Sequence, residues 1–236
     1  LSAQLVFDLA APPALGRDDF FVSDANRLVV DMLARPETWP QGKLILTGPP
    51  GSGKSHLAGI WAADRNATAI PAAGLAGADI GALPSPAPVL IEDADRAAGD
   101  PRTETALFHL HNRVLATGSA LLLTARTPPR DWGIRLPDLA SRMEATARAA
   151  LEAPDDALLA AVMVKLFADR QIAVPPNTVA YLLRRIDRSF AALNAVVALL
   201  DKRALSAGRA VTRTFAADVL ADLPGDMLDS SAAKGP

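Results

Sequence analysis

The run Gly48-Pro-Pro-Gly-Ser-Gly-Lys54-Ser55 satisfies the phosphate-loop pattern G-x-x-x-x-G-K-[ST] at every fixed position. Its glycines let successive backbone N–H groups turn toward phosphate oxygens, so Pro50, Gly51, Ser52 and Gly53 are expected to cradle a nucleoside diphosphate or triphosphate. Lys54 would bring charge to the outer phosphates, the Ser55 hydroxyl would ligate Mg2+, and His56 would pack beside them without doing chemistry. A second candidate is the acidic pair closing Val89-Leu-Ile-Glu92-Asp93, about 35 residues after the loop lysine. P-loop proteins place there an acid that holds the metal and a neighbour that orients water. Glu92 is assigned to the magnesium side and Asp93 to the water. The third candidate is Arg142, in Leu139-Ala-Ser-Arg-Met143. From position alone it reads as a solvated surface arginine, with Arg130 and Arg135 as competitors for any catalytic role.

These groups need elements to hold them. Lys43-Leu-Ile-Leu-Thr47 predicts a buried strand running into the loop, and Ser55 to Ala63 predicts a helix leaving it, which is the order a phosphate loop requires. Val89-Leu-Ile-Glu-Asp93 and Ala120-Leu-Leu-Leu-Thr124 predict two further strands, joined by a helix carrying Leu107, Leu110 and Val114 on one face. Strands apolar on both faces and alternating with helices predict an α/β fold with a parallel sheet sandwiched by helices. Before the loop, the cap cluster Ser23-Asp24-Ala-Asn26 introduces a helix with Leu28, Val29, Met32 and Leu33 as its apolar face, ending near Pro36. The Ala-, Gly- and Pro-rich stretch 67–88 predicts one short strand near Ala69-Ile-Pro71.

Past residue 153 the strand pattern gives way to helices. They begin at Pro154-Asp155-Asp156, Pro176-Asn177, Ser189 and Thr214, the third ending near Gly208, and they predict a small all-helical lid. The expected division is an N-terminal tail at 1–15, a nucleotide-binding α/β domain at 16–152, a helical lid at 153–225 and a disordered tail at 226–236.

Composition narrows the chemistry. The 24 basic and 26 acidic residues leave a net charge of −2, with no like-charge run to mark a dominant nucleic-acid surface. Zero cysteines exclude disulfides and zinc thiolates. His109 and His111 stand two apart on a helix, on nearly opposite faces, and cannot form an i, i+4 metal pair. No apolar run reaches the roughly 18 residues of a membrane span, and the N-terminal apolar patch lacks a signal peptide's basic flank, so a cytoplasmic protein is expected. Gln4-Leu-Val-Phe-Asp-Leu9, tethered by Pro12-Pro13, reads either as an edge strand or loose terminus, or as a linear docking motif.

Together these pieces resemble the AAA+ ATPases, and within them the DnaA/Hda family, on its Hda side. Phe20-Phe-Val-Ser-Asp-Ala-Asn26 is similar to the family's segment ahead of the loop, which implies that Val22 and Asn26 lie beside the adenine. Lys54-Ser-His-Leu57, Leu107-Phe-His-Leu-His-Asn-Arg113 and Leu121-Leu-Leu-Thr-Ala125 are similar to its loop ending, following helix and sensor strand. Ser141-Arg142 falls where the family carries its arginine finger, which makes Arg142 the favoured residue to act in trans on a neighbour's ATP. Gln4 to Leu9 resembles a sliding-clamp-binding peptide, with Gln4, Leu5, Phe7 and Leu9 as anchors. The chain also stops within a dozen residues of its last lid helix, whereas the initiator continues into a DNA-binding domain. The resemblance therefore implies an ADP- or ATP-binding regulator of replication initiation. Bound to the DNA polymerase III sliding clamp, it would stimulate ATP hydrolysis by DnaA and meet DNA only through these partners; a homodimer stays open.

Three positions depart from the family. The lid arginine that touches nucleotide falls on Ala191, with Arg188 one turn away; Arg126 stands where an acid or amide is expected; and Glu92 replaces an aspartate. Each weakens the expectation of independent hydrolysis. The alternative is an autonomous ATP-hydrolysing protein of DnaA-like or helicase-loader type.

Overall fold

The computed structural model describes Val22 and residues 26–222; the peptide at Gln4 to Leu9 and the segment 226–236 lie outside the described residues. Five strands, β1 (Lys43–Thr47), β2 (Thr68–Pro71), β3 (Val89–Glu92), β4 (Leu121–Ala125) and β5 (Ala147–Ala150), form one sheet in the order β2-β3-β4-β1-β5. Every pairing is parallel, with Lys43 opposite Leu121 and Leu44 opposite Ala147. The C-terminal ends of β1, β3 and β4 therefore emerge along one edge, where parallel α/β sheets bind their ligands.

Helices cover both faces: α1 (Arg27–Ala34) and α2 (Lys54–Asp64) on one, α3 (Pro101–Ala116) and α4 (Pro137–Glu144) on the other. Alternation along the strands decides which face each residue serves. Leu44, Leu46, Leu90 and Leu122 pack on Val29, Leu33, Leu57, Ala58 and Trp61. Ile45, Ile91, Leu121 and Leu123 pack on Leu107, Leu110, Val114, Leu139 and Met143. After β2 the 67–88 stretch forms only two short 3-10 helices, Ala72–Gly77 and Ile80–Ala82, and the Arg113 guanidinium pins it by donating to the carbonyls of Gly81 (2.9 Å) and Leu83 (2.7 Å).

The strand β5 has no counterpart in the sequence reading. Its residues Ala-Arg-Ala-Ala have low strand propensity, and it exists because its backbone completes the pairing of β1 at the sheet edge. Leu28 also departs from expectation: it is 72% exposed, while Val29 and Leu33 face the core.

The C-terminal region contains α5 (Asp156–Asp169), α6 (Pro176–Leu183), α7 (Phe190–Ala207) and α8 (Arg213–Ala221) around their own core of Met163, Phe167, Leu182, Leu193, Val197, Leu200 and Phe215. Local capping starts three of them. Asp155 accepts from the Leu158 amide, Ser189 from Ala192 and Thr212 from Phe215. The last of these starts α8 two residues before the Thr214 expected from the pattern. Gly208, in the left-handed conformation, ends α7. Among the described residues no helix is long and apolar enough to cross a membrane.

Candidate functional site

The phosphate loop lies between β1 and α2 and is enclosed by two remote segments. A Cβ on Gly48 would fall 2.2 Å from the Leu151 carbonyl oxygen, just past β5, and one on Gly51 would fall 2.3 Å from the Ser189 Cβ. Gly53 takes φ +92° as the cap of α2, a conformation that side chains resist. Lys54 is buried, and its Nζ donates to the carbonyls of Gly48 (2.6 Å) and Pro49 (2.8 Å). Burial lowers its pKa; Asp93 and Asp95 oppose this, and Arg126 reinforces it. The Ser52 hydroxyl is buried with no partner among the described residues. An unpaired hydroxyl, an ammonium satisfied only by loop carbonyls and a helix N-terminus facing a glycine turn suit a polyphosphate. Ser55 is exposed and His56 half-buried beside them.

The acids stand at the same edge. Asp93 follows β3 in a left-handed conformation (φ 51°), and its amide donates to Thr124 Oγ1 at 3.0 Å. Thr124, in β4, thereby fixes the turn that presents Asp93 toward the loop. The Asp93 carboxylate also pairs with Arg96 at 3.5 Å. Burial, and then the neighbouring Asp93, raise the pKa of Glu92. Asn26 is buried as the cap residue of α1, its carbonyl accepting from Val30 at 3.0 Å, and Val22 is 45% exposed. Gln4, Leu5, Phe7 and Leu9 belong to residues outside the description.

The lid meets the loop at the start of α7. The Phe190 amide donates to the Gly51 carbonyl at 3.0 Å, and its ring lies 3.1 Å from the place a Gly53 Cβ would occupy. Ala191 is exposed in the first turn. Arg188 pairs with Asp156 at 3.0 Å on the surface.

Arg142 lies elsewhere. It sits in the last turn of α4, directly before β5, and β5 begins opposite Leu44. It is thus at the N-terminal edge of the sheet, a strand length of about 15 Å from the loop. Its guanidinium donates to Asn112 Oδ1 at 2.6 Å and lies 4.8 Å from the Phe108 ring centroid. Its carbonyl accepts from Thr146 Oγ1 (2.8 Å) and from the buried Lys43 Nζ (3.4 Å), which also donates to His111 Nε2 at 3.1 Å. Burial, then the Lys43 charge, push the His111 pKa down to about 4, so the imidazole stays neutral and can accept from the ammonium. Burial, then Arg142, lower the pKa of Lys43 as well.

The approach to α4 is set by Glu104. Its carboxylate accepts from the amides of Gly99 (2.8 Å), Arg135 (3.1 Å) and Leu136 (2.8 Å). Burial of this group favours the neutral acid, but those three amides outweigh it and hold the carboxyl below the usual range. Arg135 and Arg130 are both exposed, Arg130 beside Asp131 at 3.6 Å.

The sequence reading overlooked Lys43, Glu104, Asn112 and Thr124 as site-shaping residues. Only the spacing of Phe108 and Asn112, four apart on α3 and so on one helix face, hinted that they act together.

Residues 156–220 match the family described as Hda, lid domain. The whole fold is similar to domain III of the Thermotoga maritima replication initiation protein DnaA, with TM-score 0.76 at 20% identity, covering 89% of this chain and 97% of that one. A replication initiator DnaA bound to AMPPCP and single-stranded DNA matches with TM-score 0.67 at 18% identity, covering 83% and 68%. The Thermotoga maritima RuvB Holliday junction branch migration motor matches with TM-score 0.69 at 16% identity, covering 92% and 75%. Residues 156–220 are thus similar to the Hda lid, and the chain as a whole has the fold of DnaA domain III.

Proposed function

We propose that this chain is a DnaA-related regulator of replication initiation, working in the cytoplasm, that holds ADP or ATP with Mg2+ and acts on the ATP of DnaA through Arg142. The observation that carries the reading is the placement of Arg142: half-buried, oriented by Asn112 and Phe108, and at the sheet edge away from its own phosphate loop. A guanidinium so placed cannot serve its own nucleotide, but it can serve one presented by a molecule docked head to tail. There it would stabilise charge developing on the γ-phosphate, an effect worth ~10³ to 10⁵ in rate for arginine fingers.

Its own nucleotide would rest on residues 50–56, with Val22 and Asn26 near the base and Ser55 and Glu92 on the magnesium side. A bound nucleotide would supply the phosphate oxygens that complete the metal's ligands. The lid–loop contact through Ser189 and Phe190 makes the nucleotide a determinant of lid position. We divide the chain into a nucleotide-binding domain at 16–152 and a lid at 153–225, a reading supported by the lid helices' own core around Met163, Phe167 and Leu200. Gln4, Leu5, Phe7 and Leu9 would tether the chain to the sliding clamp.

The test is ATP hydrolysis by ATP-bound DnaA on clamp-loaded DNA, with the intact chain, with Arg142→Ala and with residues 1–9 deleted. The expected result is loss of stimulation in both variants. Full stimulation by Arg142→Ala overturns the mechanism. Asp93, Lys54 and Thr124 are so arranged that a second reading, an autonomous ATPase, has its own support. Steady turnover by this chain alone, abolished by Asp93→Asn, would favour that reading.

A further inference from the structure

A groove of about 270 Å3 opens between α6 and the first turn of α8, lined by Asn177, Ala180, Tyr181, Arg184, Arg185 and Arg213. Three arginines line it, and none of them pairs with a carboxylate among the described residues. Elsewhere in the lid four bases do have such partners. Lys165 pairs with Asp169 (3.0 Å), Arg170 with Asp201 (3.6 Å), Arg188 with Asp156 (3.0 Å) and Arg209 with Asp218 (3.7 Å). These four lid bases each have a carboxylate beside them, which the three arginines of the groove lack.

Two of the three arginines are also organised. The Arg185 guanidinium stacks 3.8 Å from the Tyr181 ring centroid, and that of Arg213 lies 5.6 Å from the same ring. Ring contact restrains two long side chains that would otherwise lose freedom on binding, so their N–H forks are partly arranged in advance. Planar forks of this kind match carboxylate and phosphate oxygens two at a time. Asn177, in the first turn of α6, adds an amide donor at the groove's other end.

The surroundings decide which anion. A single-stranded nucleic acid would want a bare aromatic face for base stacking, and the Tyr181 ring already carries arginine. A duplex is too broad for a concavity of this volume, and a chain of net charge −2 lacks the wide basic field that drives backbone binding. A short run of acidic side chains meets neither objection. We propose that this groove is a docking site for an acidic peptide segment of a protein partner, held by Arg184, Arg185 and Arg213. The proposal stands apart from the role given to Arg142, because the groove uses lid residues only.

The test is fluorescence anisotropy of the full chain with a labelled octaglutamate peptide, a labelled 20-mer of deoxythymidine as the nucleic-acid probe, and two salt concentrations. The variants are R184A/R185A/R213A, the single change Arg213→Glu, and K202A/R203A as a control that removes two exposed charges from α7. Arg213→Glu guards against misfolding, since an acid in the first turn of α8 suits the helix dipole while repelling an acidic ligand. Expected are peptide binding that weakens at high salt, a loss of at least about tenfold in the triple variant and in Arg213→Glu, and less than about twofold in the control. Equal losses in the control and the triple variant, tighter binding of the oligonucleotide than of the peptide, or no peptide binding at about 1 mM in low salt would each overturn it.

Discussion

The amide of Phe190 donates to the carbonyl of Gly51 at 3.0 Å, so the first residue of a lid helix is hydrogen-bonded to the middle of the phosphate loop. Ser189, one residue earlier, occupies the space a side chain at Gly51 would need. Loop and lid are consequently one mechanical unit, and whatever fills the loop acts on the lid without an intermediary.

Gly51→Ala tests that relationship. Its φ of +74° and a Cβ 2.3 Å from that of Ser189 force either loop or lid to shift. The left-handed conformation alone costs about 1–2 kcal/mol, so nucleotide affinity should fall roughly tenfold or more. Titration with a fluorescent ADP analogue reads this directly. Ser189→Ala, which loses only the cap on α7, should cost about 1 kcal/mol of stability and little affinity.

Asn112→Ala should free the Arg142 guanidinium while leaving the phosphate loop untouched, because Asn112 is bonded to Arg142 at the far edge of the sheet. If Arg142 acts on DnaA as proposed, stimulation should drop at least about tenfold with nucleotide affinity unchanged. Unchanged stimulation would show that the Asn112 contact does not orient the arginine for its task.

Glu104→Ala leaves the amides of Gly99, Arg135 and Leu136 without their acceptor. Hydrogen bonds to a buried charged acceptor contribute about 1.5–3 kcal/mol each before relaxation, so a loss of about 3 kcal/mol is expected, visible in chemical denaturation. Since the folded carboxyl sits below its unfolded pKa, this contribution is full above the ordinary glutamate range. It disappears as pH falls through the folded value.

His111 has the opposite chemistry but fails in the same direction. Its folded pKa of about 4 lies below the ordinary 6.5, so between those values the unfolded chain binds the extra proton and stability rises with pH. Acidification from pH 7 to pH 4 should therefore remove up to about 3 kcal/mol through this one group. His111→Gln, which keeps an acceptor for Lys43, should flatten that part of the profile. Parallel profiles for the two proteins would remove His111 from the explanation.

Much of the architecture is legible without coordinates, and the reasons are local. The runs at 43–47, 89–92 and 121–125 are apolar on both faces and can only be buried strands, and Asp155 and Ser189 cap the helices they precede. Where a segment is defined by its neighbour rather than by itself, the reading fails. Ala147–Ala150 is a strand only because β1 offers it an edge, and Thr212 outcompetes Thr214 as a cap because its side chain reaches the Phe215 amide.

The sequence by itself determined the phosphate loop, since eight consecutive residues carry both the backbone freedom and the cation that phosphate binding requires. It also sufficed for the acidic pair at the end of β3. Tertiary structure alone decided that Lys43, His111, Asn112 and Arg142 form one cluster at the opposite edge, that Glu104 anchors the entry to α4, and that Ser189 closes on Gly51. These contacts join residues about 30 to about 140 positions apart. They follow from the strand order β2-β3-β4-β1-β5, which no periodicity along the chain encodes.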